Sequence, residues 1–159
     1  MQRTLRLMLE RDISRQWGVL TAALTTTLVS EIGQEEAWRL MQRTGRNIGR
    51  QRRLPACETL GALQTAVDVE LKRLDWGWAR LAARDEGVDI SHGAYPLAPG
   101  HGDPAGAWFA AVLEGLYTEW LGELAQNTDL TAVAMRLPET LGDVILLRYG
   151  RHGDPELPF

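Results

Sequence analysis

Apolar residues recur every three or four positions along much of the chain, which is the spacing of helices that bury one face. Residues 12–32 show this pattern and end at Gly33, after which Gln34 begins a short second helix. A third helix is predicted over residues 55–85, with Gly87 as a suitable stop. Its main apolar stripe comprises Leu60, Leu63, Val67, Leu71, Leu74, Trp78 and Leu81.

The third predicted helix also has a weaker apolar stripe on its opposite side. Its members lie seven residues apart: Ala62, Val69, Trp76 and Ala83. A helix that is apolar on two opposite faces is normally buried between two bodies, here its own core and another copy of the chain. Val69, Trp76 and Ala83 are therefore assembly candidates, and for Trp76 burial in the same core is the alternative.

A fourth helix is predicted to begin at Asp103, a good N-cap, with Pro104 in its first turn. Its broad apolar side includes Trp108, Tyr117 and Trp120, and this continuity favours burial in the core over a platform for sugar stacking. The other side has only small residues: Ala111, Gly115, Thr118 and Gly122. A strip of small residues allows another backbone to approach, so these four are close-packing or assembly candidates.

Two later segments have the length and β-branched content of strands. They are "LTAVAMRL" (130–137) and "DVILLRY" (143–149), which flank "PETLG" and predict a hairpin. Val88 and Ile90 alternate with polar residues and predict a short edge strand. The order predicts an α+β fold, mostly helical, with long amphipathic helices packed on a small antiparallel sheet near the C-terminus.

Composition indicates one soluble domain over residues 1–159, in which we expect a flexible N-terminal segment at 1–12 and an irregular tail at 152–159. The net charge of −4 gives no support for nucleic-acid binding. The apolar runs near the N-terminus are interrupted by charges and stay below the roughly 18 residues of a membrane span. We expect a cytoplasmic protein without a signal peptide or transmembrane segment, the periplasm being the alternative.

Five arginines lie close together between the second and third predicted helices: Arg43, Arg46, Arg50, Arg52 and Arg53. A run of charges usually marks a solvated connector, which is the favoured interpretation. An anion-binding or partner-binding patch is the alternative.

No motif for phosphate binding, nucleophilic catalysis or metalloprotease chemistry occurs in the chain. His92, His101 and His152 lack the spacing of metal ligands, so no metal or cofactor is expected. Glu119 and Glu123 lie one helical turn apart and more often mark a wet edge or pair with arginines than act as a catalytic pair. The residues alone therefore predict a non-enzymatic protein that forms oligomers. A glycan-active enzyme using Glu114, Glu119 or Glu123, and a small-ligand-binding α+β dimer, are the alternatives.

Three stretches occur in order and extend this interpretation: "CETLGALQTAVDVELKRLDWGWARL" (57–81), "GDPAGAWFAAVLEGLYTEWL" (102–121) and "VILLRYGR" (144–151). They resemble the cellulose synthase operon protein D family, most specifically in "PAG-x-W" followed by "VLEGLY". "RTGRNIG" also lies where that family has a similar passage. The resemblance covers residues 19 to 151.

This resemblance implies a non-catalytic accessory subunit of bacterial cellulose production that forms a ring-like octamer of dimers. The implied partners are further copies of the chain, the cellulose synthase complex, nascent glucan chains and a proline-rich accessory protein. Two roles stay open: passageways that guide glucan, or an intracellular scaffold that aligns synthase complexes. The missing signal sequence favours the scaffold, because a periplasmic passageway would require export.

The N-terminal segment departs from the family pattern by being several residues longer, so individual glucan contacts do not transfer to it. Arg3, Arg6, Arg11 and Trp17 are glucan-contact candidates by chemistry alone. Arginines donate hydrogen bonds to sugar hydroxyls, and an indole can cover the apolar face of a glucose ring. An ordinary helix start is the alternative.

Overall fold

The computed structural model describes residues 15–84, 87–96, 107–124, 132–136 and 144–151. These residues form helices α1 (Arg15–Ile32), α2 (Gln34–Gln51), α3 (Leu60–Leu74) and α4 (Ala107–Leu124). They also form strands β1 (Trp78–Arg84), β2 (Gly87–Gly93), β3 (Ala132–Arg136) and β4 (Val144–Arg151). The predicted α+β class is confirmed. The segment 1–12, the helix start at Asp103 and Pro104, and the tail 152–159 lie outside the described residues.

The described strands form one antiparallel sheet in the order β1-β2-β4-β3. β3 and β4 pair with Val133 opposite Gly150, which confirms the predicted hairpin. Val88 and Ile90 belong to β2, which lies between β1 and β4 and is not the edge strand predicted for them. Half of this sheet therefore comes from the middle of the chain and not from its C-terminal part.

The third predicted helix is wrong beyond Leu74, where α3 ends. Asp75 takes a left-handed conformation with a φ of 54°, and its N–H caps the last turn of the helix. Gly77 follows with a φ of 83°, a conformation that glycine adopts at little cost. From Trp78 onwards the chain is extended, so Trp78 and Leu81 belong to β1.

α4 lies at the centre of the core. Its residues Leu113, Leu116, Tyr117 and Trp120 have no measurable exposure, as expected for the broad apolar side of this helix. The indole N–H of Trp120 donates to the carbonyl of Arg52 at 2.8 Å, so burial leaves this donor paired. Side chains of α3 and of the sheet complete the same cluster: Leu63, Val67, Leu71, Ala79, Ile90, Ile145, Leu147 and Tyr149.

α2 continues through most of the arginine-rich segment and ends at Gln51. The solvated connector predicted for Arg43, Arg46 and Arg50 is therefore wrong, since all three lie on a helix. Arg43 pairs with Glu36 on the same helix at 3.0 Å. These three arginines therefore lie on a packed helix.

α2 and α4 cross with their backbones in direct contact. A β-carbon at Gly45 would lie 1.9 Å from the Val112 carbonyl oxygen, and one at Gly115 would lie 1.9 Å from that of Gln42. A β-carbon at Gly49 would also lie 2.9 Å from the Glu119 side chain. Only glycine fits at the first two positions, because the colliding atoms belong to backbone that cannot swing aside.

Gln64 of α3 forms hydrogen bonds with backbone groups on the open edge of β1. Its side-chain amide donates to the Ala79 carbonyl at 3.0 Å and accepts from the Leu81 N–H at 2.8 Å. These are the two bonds that a neighbouring strand would supply to this stretch. Unpaired sheet edges promote pairing with other chains, so this contact protects the edge as well as fixing α3.

Candidate functional site

An apolar cavity of about 690 Å³ lies between α1 and the rest of the molecule. α1 contributes Leu24 and Leu28, and α2 contributes Leu40, Met41 and Ile48. The opposite wall comes from the ends of α3 and β2 and the start of α4: Leu74, Asp75, Trp76, Ala94, Tyr95, Pro96, Trp108, Phe109 and Val112. Its size and apolar lining are those of sites that bind small molecules or partner side chains.

Four aromatic side chains form one wall of this cavity. The Phe109 ring centroid is 4.9 Å from that of Trp76 and 5.5 Å from that of Trp108, both edge to face. Tyr95 stacks on the same ring at 6.0 Å. Trp76 is thus half-buried against the core of its own chain, which is the alternative left open for it by the sequence.

Trp108 lines this wall and has a buried indole N–H. Its indole nitrogen is buried and has no hydrogen-bond acceptor among the described residues. Leaving such a donor unpaired costs on the order of 1–3 kcal/mol.

α1 covers the cavity on one side and leaves much of its own apolar surface exposed. Val19 is 72% exposed, Leu20 53% and Leu24 51%. Val29 and Ile32 are also exposed on the same helix. In the part of the chain that the structure describes, no helix has the length and apolar content needed to span a membrane. Leu24 belongs both to this exposed surface and to the lining of the cavity.

His92 lies inside the core and both of its ring nitrogens have partners. Nε2 is 2.8 Å from the Trp76 carbonyl oxygen, which can only accept, so Nε2 bears the proton and donates. Nδ1 is 2.7 Å from the Tyr117 hydroxyl and must therefore accept from it. This imidazole joins β2, α4 and the turn after α3, and both nitrogens are engaged in that structural role.

The candidate acids are also engaged with neighbouring side chains. Glu114 is buried and accepts hydrogen bonds from the Trp38 indole at 3.0 Å and the Gln42 amide at 2.8 Å. Glu119 pairs with Arg50 at 3.0 Å, which confirms the arginine pairing predicted for it. The Glu123 side chain lies outside the described part. Within that part, no cluster of three or more His, Cys, Asp or Glu residues could hold a metal ion.

The three candidates of the second stripe do not share a helix face. Only Val69 lies on α3, where it is exposed. Trp76 lies in the turn after α3, and Ala83 lies on β1. The seven-residue spacing is therefore not a continuous surface, because the helix ends between Val69 and Trp76 and the strand begins between Trp76 and Ala83. Contacts of these residues with another copy remain a prediction.

The strip of small residues on α4 faces its own chain. Ala111 is fully buried, and Gly115 lies against the backbone of α2. The Thr118 hydroxyl donates to the Glu114 carbonyl at 2.6 Å, and Gly122 has the Tyr149 hydroxyl as its neighbour. The backbone that approaches this strip thus belongs to the same chain, and an assembly role for the four residues remains a prediction.

The four glucan-contact candidates have no side chain among the described residues. Arg3, Arg6 and Arg11 lie outside the described residues, and only the backbone of Trp17 is described, within α1.

Trp78 is an exposed residue that the sequence pattern does not identify. The pattern places it in a core stripe, whereas the structure leaves it 43% exposed on β1. The alternation of apolar Ala79 and Leu81 with polar Arg80 was the available signal for a strand.

Comparison with known proteins agrees with the resemblance of the motifs. A family model for D-type subunits of cellulose synthase matches residues 3–150. A protein of Komagataeibacter xylinus named cellulose synthase operon protein D is 33% identical over 101 residues, which cover 62% of this chain and 65% of that protein. The protein of the same name from Komagataeibacter sucrofermentans has the same identity and coverage. The matched part thus spans about 65% of the length of these relatives.

Proposed function

Because the chain belongs to the cellulose synthase operon protein D family, we propose that it is a non-catalytic accessory subunit of bacterial cellulose biosynthesis. In this role, dimers assemble into an octamer-like ring that organises synthase complexes or guides glucan chains and so promotes crystalline cellulose. Its partners are other copies of itself, the cellulose synthase complex, a proline-rich accessory protein and nascent glucan. The proposed location is the cytoplasm.

The exposed apolar surface of α1 is the observation that supports assembly. Val19, Leu20 and Leu24 are each more than half exposed, and they lie within six consecutive residues. Contiguous apolar surface of this kind usually marks a site of interaction with another molecule. α1 packs chiefly on α2, so within one chain it buries only part of its surface.

A second copy would bury this surface and close the cavity beside it. Leu24 and Leu28 already line the cavity, so leucines from a partner helix would extend the same apolar contact. The engagement of Glu114, Glu119 and His92 with structural partners supports a role without catalysis. Together these features favour an assembling subunit over a glycan-active enzyme.

The proposal is tested by the mass of the purified protein in solution, measured by light scattering at micromolar concentration. We expect a wild-type oligomer and a smaller species for the Leu20→Glu/Leu24→Glu double variant, because two carboxylates would be desolvated in the interface. Thr65→Glu is the matched control, since Thr65 is exposed on α3 and belongs neither to α1 nor to the cavity lining. Circular dichroism checks that α1 still folds.

The same variants are then introduced into a cellulose-producing strain that lacks its own copy of the gene. We expect the double variant to lower the yield and crystallinity of cellulose, whereas Thr65→Glu restores both. A monomeric wild-type protein, or an intact oligomer in the double variant, would contradict the proposed assembly.

A further inference from the structure

One side of α1 has leucines followed by an acid. The residues of this side follow steps of four, three and four along the helix, which places them in one line: Leu20, Leu24, Thr27 and Glu31. All four are exposed in the single chain. This line, the α1 ridge, is therefore apolar at its N-terminal end and acidic at its C-terminal end.

The outer face of the sheet is the face turned away from α4. Side chains alternate along a strand, and Ala79 points into the core, so its neighbours on β1 point outward. The outer residues of β1 are all exposed: Trp78, Arg80, Ala82 and Arg84. This strand therefore leaves the outer face of the sheet open to contact.

One end of the outer face is apolar. Trp78 and Val144 lie on either side of Gly93 in the strand register. A β-carbon at Gly93 would lie 2.4 Å from the indole Cζ2 atom of Trp78, so the indole extends over this glycine. Leu146 lies in the next row of the sheet, opposite Ser91. These side chains form a short apolar band across β1, β2 and β4.

The other end of the outer face is basic. Asp89 accepts hydrogen bonds from Arg84 Nε at 2.5 Å and from Arg148 Nε at 2.8 Å, so two guanidinium groups share one carboxylate. Arg80 adds a third arginine on the exposed strand. β1, β2 and β4 together place three arginines and one aspartate on this face, so its net charge is positive.

The α1 ridge and the outer face also agree in length. From Leu20 to Glu31 the helix rises about 16 Å, at 1.5 Å per residue. From Trp78 to Arg84 the strand spans about 20 Å, at 3.3 Å per residue. A helix laid along β1 with its leucines on the apolar end would therefore bring Glu31 to the basic end.

From these two surfaces we propose that the α1 ridge of one copy packs on the outer face of the sheet of a second copy. The inference rests on the proposed function and names the surface that α1 contacts. The contact buries the leucines of the ridge on the apolar band around Trp78 and places Glu31 near Arg84, so shape and charge agree along its length. It joins two different surfaces, and such contacts repeat from copy to copy into a ring when the rotation closes.

Pairing of two outer faces about a two-fold axis fits less well. It would bring the arginines of both copies together without enough carboxylates to compensate, and like charges in contact oppose association. The α1 ridge supplies the leucines and the acid that the sheet face needs. Each copy of the chain has one ridge and one face, so every copy can satisfy a neighbour on both sides.

The sheet side of this contact is tested with Trp78→Glu, by light scattering of the full-length protein over a range of concentrations. We expect the concentration at which the oligomer dissociates to rise by at least about tenfold, because the variant removes a large aromatic contact and buries a carboxylate. Ala82→Arg adds bulk and charge at a second exposed position of the face and should have the same effect. Thr65→Glu on α3 is the control, for which we expect wild-type behaviour, and circular dichroism checks the fold of each variant.

A mixture of two assembly-deficient variants shows whether the contact joins unlike surfaces. The Leu20→Glu/Leu24→Glu variant retains an intact sheet face, and Trp78→Glu retains an intact α1 ridge. We expect the mixture to contain a species heavier than either variant alone, because one intact ridge and one intact face can still pair.

The outcomes separate this inference from the proposed assembly. Wild-type dissociation of both Trp78→Glu and Ala82→Arg, with a smaller species for the leucine variant, would overturn the sheet contact and leave assembly through α1 intact. A mixture that stays at the masses of its separate variants would also overturn it, since α1 would then contact another surface. A monomeric wild-type protein would contradict the proposed function itself, and this inference with it.

Discussion

At the scale of single residues, His92 connects the protonation of one side chain to the stability of the whole fold. Burial lowers the pKa of His92 to about 4 from an ordinary value of 6.5, although the hydrogen bond to the Trp76 carbonyl opposes the shift. Burial also raises the pKa of Tyr117, so its hydroxyl keeps the proton that it donates to Nδ1. A second proton on His92 would meet that hydroxyl and remove its acceptor. The folded protein therefore favours the neutral imidazole.

We predict that the free energy of unfolding falls as the pH is lowered from about 6.5 to about 4. In this window the unfolded chain binds a proton at His92 and the folded chain does not, so stability decreases by about 3 kcal/mol in total. Above the window the contribution is constant. Denaturant unfolding at several pH values measures the effect, and NMR follows the His92 ring. His92→Gln should lack this part of the pH dependence, and a folded-state ring that titrates near 6.5 would contradict the prediction.

At the scale of elements, the crossing of α2 and α4 determines how the helical layer packs. Gly45 and Gly115 each admit a carbonyl of the opposite helix where a β-carbon would stand. The close approach brings Trp38 and Gln42 of α2 within hydrogen-bond distance of Glu114 on α4. It also allows Arg50 to reach Glu119. The helical penalty of glycine is thus offset by contacts that need the two backbones to touch.

We predict that Gly115→Ala lowers the free energy of unfolding by about 2 kcal/mol or more, because the overpacking cost exceeds the gain of about 1 kcal/mol in helix propensity. Gly61→Ala is the matched control, since Gly61 is an exposed helical glycine whose β-carbon would have only the Thr59 hydroxyl within 4.0 Å. There we expect a gain of up to about 1 kcal/mol. Urea unfolding of both variants makes the comparison. Equal changes in the two would show that the crossing tolerates a side chain.

At the scale of the whole molecule, α1 and α4 both line the cavity but differ in how much of their surface is buried. α4 lies in the centre of the core, with Leu113, Leu116 and Trp120 fully buried. α1 packs chiefly on α2 and leaves leucines exposed beside the cavity. A helix with one partner and solvent on its apolar surface opens at lower cost than a central helix. Assembly through α1 would add the missing contacts.

We therefore predict that hydrogen exchange in α1 depends on protein concentration, whereas exchange in α4 does not. Mass spectrometry of exchanged samples, above and below the concentration at which the oligomer dissociates, measures both helices in one experiment. α4 is the internal control, because its burial arises within a single chain. Equal protection of α1 at all concentrations would place the contact between copies elsewhere.

The residues of the apolar stripe predicted for the third helix show which parts of the fold the sequence pattern predicts correctly. The helical stripe predicts burial of Leu63, Val67 and Leu71, and all three reach the core of the protein from α3. Leu81 belonged to the same stripe and also packs against the core, but it does so from β1. Trp78 fitted the helical spacing equally well and points to solvent. Asp75 and Gly77 end the helix between these groups, and the helical spacing of the apolar residues does not indicate that break.

The sequence by itself determined α1, the start of α2, α3 up to Leu74, the helix α4 and the hairpin of β3 and β4, because periodicity and turn residues act over short stretches of chain. Only the tertiary structure decided that residues 78–84 form a strand, since their pairing depends on β2 and on Gln64 of α3. It also decided that Gly115 meets α2 of its own chain. These outcomes depend on contacts between residues far apart in sequence. A local pattern does not show which distant residues of the chain will form those contacts.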